Sequence, residues 1–308
     1  KVYNFPYREY KNIRQSKKGD NLNEVIIYFK KDNSIIRSPL NYTGSKYSIF
    51  NEILRVCPKH ISTFVDAMGG AFNVGVNINV NDLIYNDCNF KVKELIQMFR
   101  DIDTYDLYKY IINTIKKYKL QKEDKEAYVK ARKDYNHPEP PIRDPRLLYV
   151  LVLYGFQQQI RFNSSLEYNN PVGQSGFNDK ILEKIVSFSR TLKEKNITFM
   201  SEDFERLEKY INRDTFFYCD PPYLITLGSY NDGKRGFNGW NKENEIRLLK
   251  FLDKIDKAKG KFMLSNVIEH KDKENKILIE WLKQHENYRK IDYNGKARGR
   301  KEVIIVNY

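Results

Sequence analysis

The residues with the most chemistry in this sequence are Asp220-Pro221-Pro222-Tyr223. An apolar run, Thr215-Phe216-Phe217-Tyr218-Cys219, leads into them and reads as a buried strand that the proline pair stops. The residue before a proline is pushed toward extended backbone, so Asp220 and Pro221 form a stiff corner. The corner fixes a carboxylate, a backbone carbonyl and an aromatic ring at a strand's carboxyl end, where open α/β sheets take their ligands. That set suits a flat base bearing an amino group. Asp220 and the Pro221 carbonyl accept hydrogen bonds from the NH2, Pro222 stiffens the turn, and Tyr223 stacks on the ring. The plainer reading is a proline-terminated strand whose Asp caps a turn.

Upstream, Phe64-Val65-Asp66-Ala67-Met68-Gly69-Gly70-Ala71-Phe72-Asn73-Val74-Gly75 is a strand, an acid and a glycine turn. Glycines let backbone approach a ligand closely. The Gly-x-Gly-x-x-Gly spacing of dinucleotide sites is not met. Asn41-Tyr42-Thr43-Gly44-Ser45-Lys46 lacks the first glycine of a phosphate-binding loop. Asp66 before the turn suits a cationic, amino-bearing ligand. Asp87, at the end of a second strand, is placed like the acid that takes ribose hydroxyls in doubly wound folds. Each also has an ordinary structural reading, Asp66 as a turn residue and Asp87 as a helix cap.

The elements that must position these residues alternate. Strands are expected at Ile61–Asp66, around Leu83-Ile84-Tyr85, at Ile197–Met200, into Asp220, at Phe262–Leu264 and at Glu302–Val306. Helices are expected after Lys46 to about Val56, at Phe90–Phe99, Lys180–Leu192, Phe204–Ile211, Asn241–Ala258 and Asn275–Gln284. Alternation of this kind predicts an α/β fold with a largely parallel sheet. Residues 1–37 read as an N-terminal arm packed on the core, with one strand-like run, Glu24–Phe29. From residue 100 the composition shifts toward Lys, Asp and Tyr, up to the loop His137-Pro138-Glu139-Pro140-Pro141, which predicts a helical insertion. Its charged stretch Lys116–Lys133 reads as a solvated helix face in preference to a direct DNA contact.

The chain has 308 residues, enough for one large domain or a core with a smaller insertion. The net charge of +14 favours a polyanionic partner, although basic charge also serves solubility. Cys57, Cys88 and Cys219 are odd in number and far apart, and His60, His137, His270 and His285 lack metal-ligand spacing. A reducing cytoplasm and no structural metal follow. No apolar run approaches membrane-spanning length, and the N-terminus has no hydrophobic core of a secretory signal. The chain begins at Lys1 rather than Met, which reads as a trimmed chain or a piece of something longer.

The order Asn-Tyr-Thr-Gly-Ser-Lys, Asp-x-x-Gly-Gly, Asn-Asp-Cys-Asn, an insertion, then Asp-Pro-Pro-Tyr resembles the Dam-type, α-class N6-adenine DNA methyltransferases, from about Pro39 to Tyr308. The resemblance implies a Rossmann-like methyltransferase fold with a mostly parallel seven-stranded sheet. It implies a catalytic domain over 38–99 and 179–308, and a target-recognition insertion with a β-hairpin over 100–178. It also implies S-adenosylmethionine as cofactor. Tyr42, Gly44 and Lys46 match the opening loop, and Asp66, Met68, Gly69 and Gly70 the glycine motif. Asp87 matches the ribose acid, and Asp203-Phe204 the pair at the cofactor's adenine. Asp220 borders both cofactor and amine. Met68 stands where the family usually has Phe, and Phe72 where a second glycine is common, which implies a rearranged methionine end.

Arg161-Phe162-Asn163 through Tyr168-Asn169-Asn170-Pro171-Val172-Gly173 resembles the family's DNA-approaching hairpin, with Tyr168 in place of Phe. Asn can pair bidentately with adenine and Arg with guanine, so Arg161, Asn163, Asn169 and Asn170 are candidate base contacts, though an Asn-rich structural hairpin reads equally well. In the glycine-containing loop after the catalytic motif, Lys234 and Arg235 are candidate phosphate contacts. Lys296, Arg298, Arg300 and Lys301 form a plausible phosphate patch or solvated charge.

The implied reaction is methyl transfer to the N6 amine of a flipped adenine in duplex DNA, with no covalent intermediate. Cys219 then reads as a buried strand residue. Methylation of cytosine N4, methylation of RNA, and a nucleic-acid-binding module with a degenerate site are the alternatives. A restriction–modification setting with a cognate endonuclease, a protein monomeric on DNA, and a cytoplasmic, nucleoid-associated location complete the expectation. One complete motif set predicts one active site.

Overall fold

The structure is a computed structural model that describes residues 35–42, 44–226, 239–293 and 299–308. The expected strand at Glu24–Phe29 and the candidate contacts Lys234, Arg235, Lys296 and Arg298 lie outside the described residues.

Five strands run parallel: β1 (Thr63–Asp66), β2 (Asp82–Asn86), β3 (Ile197–Met200), β4 (Thr215–Cys219) and β5 (Lys261–His270). Two more, β7 (Arg289–Tyr293) and β8 (Arg300–Val306), close one side as an antiparallel pair. The two-residue β6 (Lys273–Glu274) folds back on β5. The sheet order is β3-β2-β1-β4-β5-β8-β7. This is a Rossmann-like sheet, and its order reverses between β1 and β4. The carboxyl ends of those two strands therefore border the crevice in which doubly wound sheets bind ligands.

β4 is buried along its whole length, as a strand covered on both faces must be. Alternate residues feed two cores. Phe64, Phe216 and Tyr218 face one, shared with the helices α2 (Phe90–Asp101), α3 (Thr104–Tyr118), α5 (Pro145–Tyr154) and α6 (Asp179–Lys193). Val65, Phe217 and Cys219 face the other, under α7 (Lys242–Lys257) and α8 (Lys276–Lys283).

The chain from α3 to residue 178 leaves the α/β alternation between β2 and β3, and α2 packs directly on α6 across the gap. α5 lies at the centre of this helical region, buried from Leu147 to Tyr154 and packed on α2, α3 and α4 (Lys125–Asn136). Lys125, Glu126, Lys130 and Lys133 of α4 face outward while Tyr128, Ala131 and Tyr135 turn inward, and Arg132 donates to Asn170 O at 3.0 Å. The charged stretch Lys116–Lys133 spans the end of α3, a turn and most of α4. Asn and Asp side chains open these helices: Asn89, Asp103, Asp124, Asp144 and Asn178 each accept a first-turn backbone N–H. Among the described residues no helix is long and apolar enough to cross a membrane.

One buried acid ties the second core together. Glu245, in the first turn of α7, is fully buried. It accepts hydrogen bonds from Trp240 Nε1 at 2.6 Å, Asn275 Nδ2 at 2.7 Å and Asn266 Nδ2 at 3.0 Å. Burial raises its pKa, while the three donors favour the carboxylate. Glu245→Ala would strand three buried donors, each worth about 1–3 kcal/mol. Urea titration is expected to show a loss on the order of 3 kcal/mol; a midpoint within error of wild type would mean the network carries no stability.

Candidate active site

The strand register brings the two sequence motifs together. β1 and β4 are neighbours with Asp66 opposite Tyr218, so Asp66 and Asp220 stand at adjacent strand ends. β2 supplies the third wall, because Tyr85, Asn86 and Asp87 all reach back to the glycine turn. Gly69 N donates to Asn86 O at 2.8 Å, and Asn86 Nδ2 donates to Ala67 O at 3.0 Å. Tyr85 Oη donates to Gly70 O at 2.9 Å, and Gly70 N donates to Asp87 Oδ2 at 2.9 Å.

Glycine is required here by contact and by conformation. A Cβ on Gly69 would meet the Tyr85 ring at 2.6 Å, and Gly70 has φ +47°. Phe72, the departure from the family's second glycine, also has positive φ, 62°. That backbone explains why glycine is common there. In this chain the ring is buried instead, edge-on to Tyr85 at 4.9 Å. Gly75 makes room for it, since a Cβ there would lie 2.2 Å from Phe72.

Lys46 is latched to Asp220. Its Nζ lies 2.7 Å from Asp220 Oδ1 and 2.5 Å from Oδ2, and donates to Gly44 O at 3.1 Å. Tyr223 Oη donates to Asp220 Oδ1 at 3.1 Å, and Ser265 Oγ lies between the hydroxyls of Tyr223 and Tyr293. Burial pushes the Asp220 carboxyl up, while Lys46 and Tyr223 pull it back. Burial alone would lower the Lys46 ammonium, but Asp220 holds it above its ordinary value. Sequence reasoning placed Lys46 with the cofactor loop and missed this pairing, for which no local signal exists.

Of the predicted cofactor residues, Tyr42, Gly44, Lys46, Asp66, Met68, Gly69, Gly70, Asp87, Asp203, Phe204 and Asp220 line one cavity, together with Pro221, Pro222 and Tyr223. Phe204 and Trp240 form an aromatic wall, their centroids 6.2 Å apart. Asp203 caps the following 3-10 turn through Glu205 N and pairs with Arg247 at 2.8 Å. Asp87 accepts from Asn89 N at 2.8 Å as well as from Gly70 N, and the cap of α2 is Asn89 rather than Asp87. The donor set fits a ligand with a cationic end, a ribose and a flat base: buried acids at two strand ends, close-approach glycines, and an aromatic wall. Among the described residues no three His, Cys, Asp or Glu side chains are grouped to hold a metal ion. The Cys219 thiol is fully buried, and burial drives its pKa up, which suits a strand residue and not a nucleophile.

The expected hairpin is present as a bridge between Phe162 and Tyr168. Its polar residues divide. Arg161 is exposed. Asn163 is occupied within the turn, accepting from Ser165 N and Glu167 N and donating to Glu167 Oε2 at 2.8 Å. Asn170 is fully buried and donates to Phe156 O at 2.9 Å. Asn169 is half-buried, with its Oδ1 enclosed. In this conformation Asn163 and Asn170 hold the hairpin together, and Arg161 is the one of the four candidate base contacts that is exposed. Arg300, in the tail cluster, lies 3.5 Å from Glu302.

Asp66 is 1% exposed, and its one described hydrogen bond comes from Gly75 N at 3.2 Å. Burial, with Asp220 and Asp87 nearby, raises its pKa from 3.8 to about 8. The native state then binds a proton that the unfolded state has released, so stability falls as pH rises through that window, by up to about 1.4 kcal/mol per pH unit. Asp66→Asn is therefore expected to raise the melting temperature of the ligand-free protein at pH 8 much more than at pH 5. Equal shifts at both would contradict a buried acid that ionises late.

Comparison with known proteins identifies the family. Residues 42–294 match the family model for D12 class N6 adenine-specific DNA methyltransferases. The chain is 43% identical to modification methylase LlaI of Lactococcus lactis subsp. lactis, over 98% of this chain and 49% of that protein. It is 37% identical to type II methyltransferase M.FokI of Planomicrobium okeanokoites, over 100% of this chain and 51% of that protein. A DNA adenine methylase of Salmonella typhi is 22% identical, over 88% of this chain and 95% of that protein. The chain thus spans about half the length of the first two relatives. With the family model covering most of its length and the motif residues gathered in one cavity, this chain belongs to the D12 class N6 adenine-specific DNA methyltransferases.

Proposed function

We propose that this chain transfers a methyl group from S-adenosylmethionine to the N6 amine of an adenine rotated out of duplex DNA. The observation that carries the reading is the shared cavity, in which the Asp220-to-Tyr223 corner and the Asp66-to-Gly70 turn occupy neighbouring strand ends. The cofactor supplies an electrophilic methyl on a sulfonium. Asp66 faces the cationic end, Asp87 the ribose, and Phe204 with Trp240 the adenine.

The chain's own work is at the acceptor amine. The lone pair of an aromatic amine is delocalised into the ring and makes a poor nucleophile. Hydrogen bonds accepted by Asp220 and the Pro221 carbonyl draw that lone pair onto nitrogen as it becomes tetrahedral, an interaction that strengthens toward the transition state. Lys46 keeps the Asp220 carboxylate oriented. It lies 5.1 Å from the Tyr223 ring centroid, so the base stacks on the ring's opposite face. The base must leave the helix to reach this cavity.

Residues 100–178 serve as the target-recognition region, with Arg161 as its outward candidate for a guanine contact. Lys234 and Arg235 remain candidates for phosphate contact. The names of the first two relatives, a modification methylase and a type II methyltransferase, support a restriction–modification role with a cognate endonuclease.

The test is transfer of labelled methyl to duplex DNA, followed by nucleoside analysis. Wild type is expected to yield N6-methyladenine. Asp220→Ala, at saturating cofactor, is expected to lose at least about 100-fold in single-turnover rate, the scale of a lost transition-state hydrogen bond. Equal labelling by both proteins would remove Asp220 from the mechanism, and N4-methylcytosine as the product would replace the adenine assignment.

A further inference from the structure

Strand β4 carries one more polar group into the cavity. Tyr218 lies two residues before Asp220, on the same face of the strand, and opposite Asp66 on β1. Its side chain is 2% exposed and lines the cavity. Among the described residues its hydroxyl has no hydrogen-bond partner. The other tyrosine hydroxyls nearby are engaged: Tyr85 with Gly70 O, Tyr223 with Asp220, and Tyr293 with Ser265. Buried hydroxyls in folded proteins almost always have a partner, so this enclosed and unpartnered one, on a residue that lines the cavity, marks a place for a ligand contact.

Its position identifies the atom it would meet. Asp66 stands on the side of the methyl donor and Asp220 on the side of the acceptor amine. In-line transfer requires the sulfonium to lie between them. Tyr218 stands level with Asp66 in the strand register and two residues before Asp220, and its hydroxyl feels the charge of both acids. The positive sulfur polarises the C–H bonds attached to it, making them weak hydrogen-bond donors to oxygen. Burial and the Asp220 charge hold the phenol well above its ordinary pKa, so the hydroxyl stays neutral with its lone pairs intact.

We propose that the Tyr218 hydroxyl oxygen contacts the C–H groups on the sulfonium and so favours the charged, methylated cofactor over its neutral demethylated product. This inference rests on the S-adenosylmethionine reading given above. No bond forms or breaks at Tyr218. The contact is lost when the methyl leaves and sulfur becomes neutral, which lets product depart.

The experiment is calorimetric titration of wild type and Tyr218→Phe with S-adenosylmethionine and S-adenosylhomocysteine. Tyr218→Phe is expected to weaken S-adenosylmethionine binding by about two- to five-fold, the size of a weak hydrogen bond, and to leave S-adenosylhomocysteine unchanged. The ratio of the two affinities is internal to each protein, so a partly unfolded variant does not mimic the effect. If both affinities fall together, or neither changes, the inference is overturned. If wild type binds neither ligand, the cofactor reading itself fails, and this inference fails with it.

Discussion

A buried ion pair at the carboxyl edge of the sheet, Lys46 with Asp220, is the contact on which the site depends. The side chains are 8% and 15% exposed. Taking two charges out of water is expensive, and removing one partner of such a pair costs about 3–5 kcal/mol because the other charge is left bare. Here the ammonium is satisfied by both carboxylate oxygens and by the Gly44 carbonyl, and the carboxylate also accepts from Tyr223. The pair fastens the Tyr42-to-Lys46 loop across the end of β4. That brings Tyr42 against Gly70, whose added Cβ would sit 3.0 Å from the Tyr42 ring. The loop, the glycine turn and the proline corner are thereby held as one cavity.

The same edge gathers three buried acids in different states. Asp220 has its lysine, but Asp66 is held by one described backbone hydrogen bond and stays protonated toward neutral pH. Asp87 is tied to Gly70 and Asn89. Ionising Asp66 is therefore a cost to the ligand-free fold that grows as pH rises. The structure balances it elsewhere, with fully covered strands and the Glu245 network beneath Trp240.

Much of this was legible in the sequence because it is local. The proline corner, the acid-and-glycine turn and the amphipathic helices with their Asn and Asp caps announce themselves within a few residues. Helix α7 runs inside its expected limits, Asn241 and Ala258. What sequence reasoning missed is contact across distance. Lys46 and Asp220 are 174 positions apart. Glu245 reads as an ordinary first-turn acid until Asn266 and Asn275 arrive from other elements. The edge strand Arg289–Tyr293 is mostly charged and half-exposed, so it carries no strong apolar pattern. Local composition also misdirects: the Asn-rich hairpin looks like a reading surface, yet Asn163 and Asn170 are consumed by its own turn and packing. Phe72, a departure from the family's second glycine, fills its position with a buried ring for which Gly75 leaves room.

The central claim is that Lys46 keeps Asp220 an oriented carboxylate at the acceptor amine. Its most direct test is the pH dependence of single-turnover methyl transfer in wild type and Lys46→Met, with cofactor and duplex saturating. Burial raises the Asp220 pKa and Lys46 lowers it. Removing the ammonium should therefore move the acidic limb of the profile to higher pH, with rate recovered as pH rises. A Lys46→Met profile with the wild-type acidic limb, merely scaled down at every pH, would contradict the account.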